Sequence, residues 1–130
     1  MSLDDTAVAL LRGHALAFLS TLMPDGSPQV TEVWADTDGE HVVINTVTTH
    51  QKARNIARDP RVAVAIADPD APSRYWGVRG TVVEATTEGG DEHIDQLSQR
   101  YLGRPYPGFG SSGSRLVVTI SPRSIHSPGY

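Results

Sequence analysis

The chain has 130 residues, a net charge of -4 and no cysteine. That length suits a single domain spanning residues 1–130, which can bury roughly two-thirds of its unfolded surface. The absence of cysteine excludes disulfides, thiolate catalysis and Cys-ligated metal centres, while a pI of about 5.6 argues against a nucleic-acid binder, which would carry a basic face.

No apolar run approaches the ~20 residues that a membrane span requires. The start, Met1-Ser2-Leu3-Asp4-Asp5, is acidic and lacks the basic region of a signal peptide. A soluble, cytoplasmic protein is expected.

Ser2 and Asp5 read as a helix start, with Leu3, Ala7, Leu10 and Leu11 at helical spacing and Gly13 as the stop. His14 to Thr21 reads as a buried strand. Pro24-Asp25-Gly26-Ser27-Pro28 is a hairpin turn. Gln29 to Ala35 returns with Val30, Glu32 and Trp34 on one face and Gln29, Thr31 and Val33 on the other. After a turn at Asp36-Thr37-Asp38-Gly39, His41 to Val47 completes a three-stranded meander.

Thr49 is the expected N-cap of a helix from His50 to Arg58, with Ala53, Ile56 and Ala57 inward and Asp59-Pro60 as the stop. Arg61 to Asp68 is a fourth strand, followed by a stiff loop, Asp68-Pro69-Asp70-Ala71-Pro72. Arg74 to Thr86 is a long fifth strand in which Gly77 and Gly80 mark bulges or close approaches. Glu88 to Leu102 is an amphipathic helix with Ile94, Leu97 and Tyr101 on its apolar stripe. A loop from Gly103 to Ser112, a strand from Leu116 to Ile120 and a tail from Pro122 to Tyr130 finish the chain.

The order α-βββ-α-ββ-α-β predicts a mainly β protein of six antiparallel strands and three helices. Hairpins rather than βαβ units join the early strands, so a closed or half-open antiparallel barrel is the expected architecture.

Among the candidate motifs, Gly108-Phe109-Gly110-Ser111-Ser112-Gly113 has the letters of a dinucleotide fingerprint but no strand before it and no helix after it, and reads as a loop. The histidines show no metal-ligand spacing. Asp68 and Asp70 sit among prolines as turn formers.

Lys52 is the only lysine among eleven basic Lys and Arg residues. It lies where a strand gives way to a helix, a junction whose unpaired N–H groups and helix dipole favour an anion, phosphate above all. A lysine there supplies a compact positive charge. Gln51 and Asn55 are four apart, and Lys52 and Asn55 three apart, so both pairs share helical surface. The pattern supplies an anion cradle near Thr49, His50, Gln51, Lys52 and Asn55, and names no ligand. Arg54 and Arg58 fall on another face, toward solvent. Tyr75 and Trp76 point to opposite sides of one strand; one belongs to the core and the other can stack on a flat ring, and the pattern does not select between them.

Taken together, Ala17-Phe18-Leu19-Ser20-Thr21-Leu22, Asp25-Gly26-Ser27-Pro28-Gln29-Val30, Trp34, Asn45-Thr46, the run Lys52-Ala53-Arg54-Asn55-Ile56-Ala57-Arg58-Asp59-Pro60-Arg61-Val62, and Val78-Arg79-Gly80 resemble the pyridoxamine 5'-phosphate oxidase-like flavin and deazaflavin oxidoreductases. The likeness runs from about residue 14 to residue 121 and is nearest the small, single-domain branch that uses coenzyme F420.

The resemblance implies an FMN-binding split β-barrel that forms a homodimer, with the cofactor in a groove between subunits and its phosphate at Thr46 to Lys52. Gln29 and Val30 match positions near the ring or its chain, and Tyr75 or Trp76 would line the pocket from the other subunit. The implied activity is hydride transfer from reduced F420 to an electron-poor small molecule. An FMN-dependent oxidase or reductase, or an F420 carrier without turnover, are the alternatives. No residue stands out as a proton donor. Many members carry an Arg-like residue before Lys52, where this chain has His50 and Gln51. The end, Ile125-His126-Ser127-Pro128-Gly129-Tyr130, lacks the Arg-Leu-x-Pro motif of the vitamin-B6 oxidase, which counts against pyridoxamine phosphate as substrate.

Overall fold

A computed structural model describes residues 2–108 and 113–128. Three helices, α1 (Asp5–Leu11), α2 (Gln51–Arg58) and α3 (Gly90–Leu102), accompany seven strands. These are β1 (Leu16–Leu22), β2 (Pro28–Val33), β3 (Ala35–Thr37), β4 (Val42–Val47), β5 (Arg61–Asp68), β6 (Ala71–Thr86) and β7 (Arg115–His126). They form one antiparallel sheet in the order β2-β1-β5-β6-β7-β4-β3.

The expected six strands become seven because the return strand breaks at Trp34. Up to Val33 it pairs with β1, and from Ala35 it pairs with β4. β2 and β3 lie at opposite edges of the sheet but are one residue apart in sequence. The sheet is therefore curled until its edges meet at Trp34, the half-barrel that an antiparallel sheet forms to cover its edges. The early strands are thus not a simple three-stranded meander.

Alternation sorts the side chains. On β5, Val62, Val64 and Ile66 are buried and Ala63 and Ala65 face outward. On β4 all six residues are buried, because the barrel covers one face and α3 lies against the other. Leu19, Ile44, Ile66, Val78, Val118 and Ile120 form the centre of the core, and α1 closes it with Ala7 and Leu11.

Several boundaries differ from expectation. The first helix is capped by Asp4, not Ser2: Asp4 Oδ1 accepts from the Ala7 amide at 2.7 Å. Its other carboxylate oxygen accepts from Trp76 Nε1 at 3.1 Å, tying the helix to β6. Asp4→Ala removes both bonds and should cost roughly 1–3 kcal/mol of unfolding free energy, readable by urea titration. α2 is capped by His50 without a side-chain bond, and Ala57 is exposed while Asn55 is buried in its place.

The last strand runs on to His126 rather than ending at Ile120. Pro122, opposite Gly80, is accommodated because the ladder shifts register there. Gly80 is required at this crossing, since a Cβ would lie 2.7 Å from the Ser121 carbonyl oxygen. Ala71 and Pro72 belong to β6, and Asp68 Oδ1 accepts the Asp70 amide as a turn former does. The fingerprint-like segment falls mostly on residues 109–112, outside the described residues.

Candidate functional site

The β4–α2 junction and the start of β7 enclose a cleft of about 270 Å³. Thr46, His50 and Lys52 come from the junction, Arg115 from β7, Trp34 from the β2–β3 break and Tyr106 from the segment after α3. α2 opens onto it with His50 as a bare cap, so the helix start offers backbone donors and the positive end of its dipole.

Lys52 is half-buried and makes no hydrogen bond or ion pair among the described residues. Burial, and then the Arg115 guanidinium, push its ammonium below the usual lysine range. His50 is likewise held low, first by lost hydration and then by the charges of Lys52 and Arg115. Thr46 is 1% exposed and its Oγ1 has no hydrogen-bond partner among the described residues. A buried hydroxyl without a partner costs free energy, and so do two mutually repelling cations. An anion lying among Thr46, Lys52 and Arg115 relieves all of these costs together, so the donor set fits a phosphate group.

Arg115 is held from behind. Nη1 donates to Asn45 Oδ1 at 3.3 Å, a second guanidinium nitrogen donates to the Tyr106 hydroxyl, and the guanidinium lies 4.7 Å over the Tyr106 ring. Trp34 forms an aromatic wall, stacked on Tyr101 with ring centroids 5.4 Å apart and planes 3° from parallel. Tyr106 meets Trp34 edge-on at 6.2 Å. Gly113, at φ +90°, lies against Thr48 and Thr49, and the Ser114 amide donates to Thr48 Oγ1 at 3.0 Å.

Of the residues singled out in the sequence, the structure brings Thr46, His50 and Lys52 into this cleft, with Thr49 at its turn. It does not bring Asn55 there. Asn55 is 0% exposed and points the other way, donating to Thr21 Oγ1 at 3.0 Å and accepting from Gln51 Nε2 at 2.8 Å. Gln29 belongs to that same cluster, accepting from Thr21 Oγ1 at 3.1 Å. Trp76, 3% exposed, is the core member of its pair, and Tyr75 is the exposed one.

Val30 is 63% exposed on the outer face of β1, β2, β5 and β6, beside Phe18, Ala63 and Ala65. Arg54 and Arg58 are exposed but not idle: Arg54 donates to Thr49 O at 2.7 Å and Arg58 donates to Leu22 O. Sequence reasoning missed Arg115, Tyr106 and Asn45. Arg115 is brought to the cleft by the β4–β7 ladder and Tyr106 by the segment after α3, and the one signal available was Arg115 at the head of an apolar strand.

A curled antiparallel sheet with an anion-fitting cleft at a strand–helix junction defines the class, and the comparisons agree with it. The family model described as pyridoxamine 5'-phosphate oxidase matches residues 3–127. A solved F420 reductase is 31% identical, with 95% of this chain and 98% of that chain covered and a TM-score of 0.84. A conserved hypothetical protein from Mycobacterium tuberculosis is 27% identical over 98% of this chain and 84% of its own, at a TM-score of 0.76. General Stress Protein 26 from Bacillus anthracis, at 18% identity, shares the fold, with 94% and 91% of the chains covered and a TM-score of 0.67. The chain belongs to the pyridoxamine 5'-phosphate oxidase family, whose split-barrel members include flavin and deazaflavin oxidoreductases. No helix among the described residues is long and apolar enough to cross a membrane.

Proposed function

We propose that this protein is a coenzyme F420-dependent reductase. The observation that carries the reading is the buried Thr46 hydroxyl, without a hydrogen-bond partner among the described residues, in a cleft also lined by Lys52 and Arg115, neither of which has a carboxylate partner among those residues. The 31% identical F420 reductase supports the deazaflavin over FMN. In this reading Lys52 and Arg115 hold the cofactor phosphate, Thr46 Oγ1 donates to it, and the bare start of α2 contributes its dipole. Trp34, braced by Tyr101, gives a planar ring a rigid apolar wall. The bound cofactor supplies the hydride; the chain supplies binding, orientation and exclusion of water.

The site is completed by a second copy. The outer sheet face carries Phe18, Val30, Ala63, Ala65 and Gly77, with Ser20, Arg79 and His126 among them and Tyr75 against His126, a largely apolar patch with polar members that suits an interface. Val30, Glu32 and Trp34 share one side of the return strand, so the cleft leads along it onto this face. A homodimer there would cover the apolar face and enclose the ring, leaving room for a small electron-poor acceptor. The protein would act in the cytoplasm, where the chain's lack of cysteine is no handicap.

Side-by-side titration with F420 and FMN tests the reading. F420 should quench with at least about tenfold higher affinity, a difference of about 1.4 kcal/mol, and reduced F420 should then be oxidised by quinones or unsaturated ketones. Preferential binding of FMN would move the chain to the flavin enzymes. Tight F420 binding without turnover across a broad acceptor panel would make it a carrier. Light scattering should give twice the 14.0 kDa chain mass.

A further inference from the structure

Behind Arg115 lies a row of polar groups that anion binding does not require. The Asn45 amide spends both of its N–H donors, on the Gly90 carbonyl at 3.0 Å and on His93 Nδ1 at 3.2 Å. Its Oδ1 is therefore turned to Arg115 Nη1, at 3.3 Å. His93 Nε2 lies 3.1 Å from Asp36 Oδ2, and Arg100 Nη1 donates to Asp36 Oδ1 at 3.1 Å.

These contacts assign the imidazole proton. A carboxylate only accepts, so Nε2 carries the hydrogen. The Asn45 amide nitrogen only donates, so Nδ1 is bare. The surroundings leave little slack: a Cβ on Gly90 would lie 2.6 Å from the Arg115 carbonyl oxygen, so the start of α3 is pressed against β7 at this point.

We propose that His93 is a positioning residue: the neutral, Nε2-protonated imidazole fixes the Asn45 amide, and through it Arg115, in the orientation that receives the anion, and protonation of His93 releases Arg115. This inference rests on the anion-cleft reading above. A hydrogen on Nδ1 would oppose the Asn45 donor. The amide would turn over to present Oδ1 to His93, placing its NH2 against the Arg115 guanidinium, donor against donor, and taking its donor from the Gly90 carbonyl. The charged and titratable groups around His93 are Asp36 from β3, Arg100 from α3 and Arg115 from β7.

Two substitutions separate positioning from folding. His93→Asn places a carbonyl oxygen near the Nδ1 position and cannot titrate there. His93→Leu leaves Asn45 without that acceptor. At about pH 7.5, His93→Leu should weaken F420 binding about tenfold, with His93→Asn within about threefold of the native protein. Between about pH 7.5 and pH 5.5 the native protein should lose affinity relative to His93→Asn. His50 titrates in both proteins, so the difference isolates His93.

Imidazole ¹⁵N shifts of the ligand-free protein should show the Nε2-protonated form at neutral pH. Protonation at Nδ1, parallel pH profiles, or His93→Asn binding as poorly as His93→Leu would overturn the inference. Lys52→Ala is the control. If it binds F420 normally, the anion-cleft reading falls, and this inference with it. If it loses binding while both His93 variants keep it, only the relay is refuted.

Discussion

Replacing Lys52 with alanine is expected to weaken cofactor affinity by about 1.5–3 kcal/mol, the range for a charge-assisted hydrogen bond, or roughly 10- to 100-fold. The same substitution should not lower the melting temperature of the ligand-free protein. The Lys52 ammonium is disfavoured in the folded state, by burial first and by Arg115 second. A cation whose pKa is depressed on folding binds fewer protons in the native than in the unfolded state near that pKa. Stability therefore rises with pH through this range, and the charge costs stability at neutral pH. Removing it relieves that cost. Fluorescence titration and a thermal melt on the same sample decide the matter. Lost affinity with an unchanged or higher melting point marks a binding residue that the apo fold carries at a cost, whereas unchanged affinity removes Lys52 from the site.

A phosphate between Lys52 and Arg115 would also reverse the shifts that burial and repulsion impose. The His50 imidazole, held low in the free protein, would gain a proton as the anion arrives. Its contribution to binding should therefore grow as the pH falls toward the ordinary histidine range. This is opposite in sign to the loss of Arg115 positioning proposed for His93, which is why the pH profile is read as a difference between two proteins.

The junction was legible because its signal is local. A strand running into a helix start with a lysine beside it reads as an anion cradle whatever surrounds it, and Thr46, His50 and Lys52 do line one cleft, although the cap is His50 and not the expected Thr49. The other half of that cleft comes from across the sheet. Arg115 opposes Val47 through the β4–β7 ladder, a pairing that no short-range pattern encodes. The break at Trp34 was hidden for a related reason: alternation continues through it, so period-2 reasoning sees one strand where the ladder has two partners. Pro122 misled in the opposite direction. Proline ordinarily ends a strand, but the register shift opposite Gly80 lets β7 continue without the missing N–H.

Asn55 shows most sharply where helical spacing stops being informative. Spacing identified Gln51 and Asn55 as neighbours, and they are hydrogen-bonded. It could not say on which side of α2 the barrel lies. The side chain is fully buried, with Nδ2 on Thr21 Oγ1 at 3.0 Å and Met23 Sδ at 3.4 Å, and Oδ1 accepting from Gln51 and Arg58. Thr21 in turn donates to Gln29 across the β1–β2 hairpin. Asn55 therefore pins α2 to the hairpin.

Asn55→Ala leaves a void and strips Thr21 of its donor, and should cost about 2–4 kcal/mol, since buried groups lose both a hydrogen bond and their hydration. Thr21→Val should cost about 1–3 kcal/mol by leaving the Asn55 amide short of an acceptor. Because the two residues share one bond, the double variant should be less destabilised than the sum of the singles by about 1 kcal/mol. Urea unfolding at fixed protein concentration measures all three. F420 affinity of Asn55→Ala, taken well below its melting point, should stay within about threefold of the native value. A large loss of affinity with little loss of stability would return Asn55 to the cleft and imply that α2 turns on its axis when the anion binds.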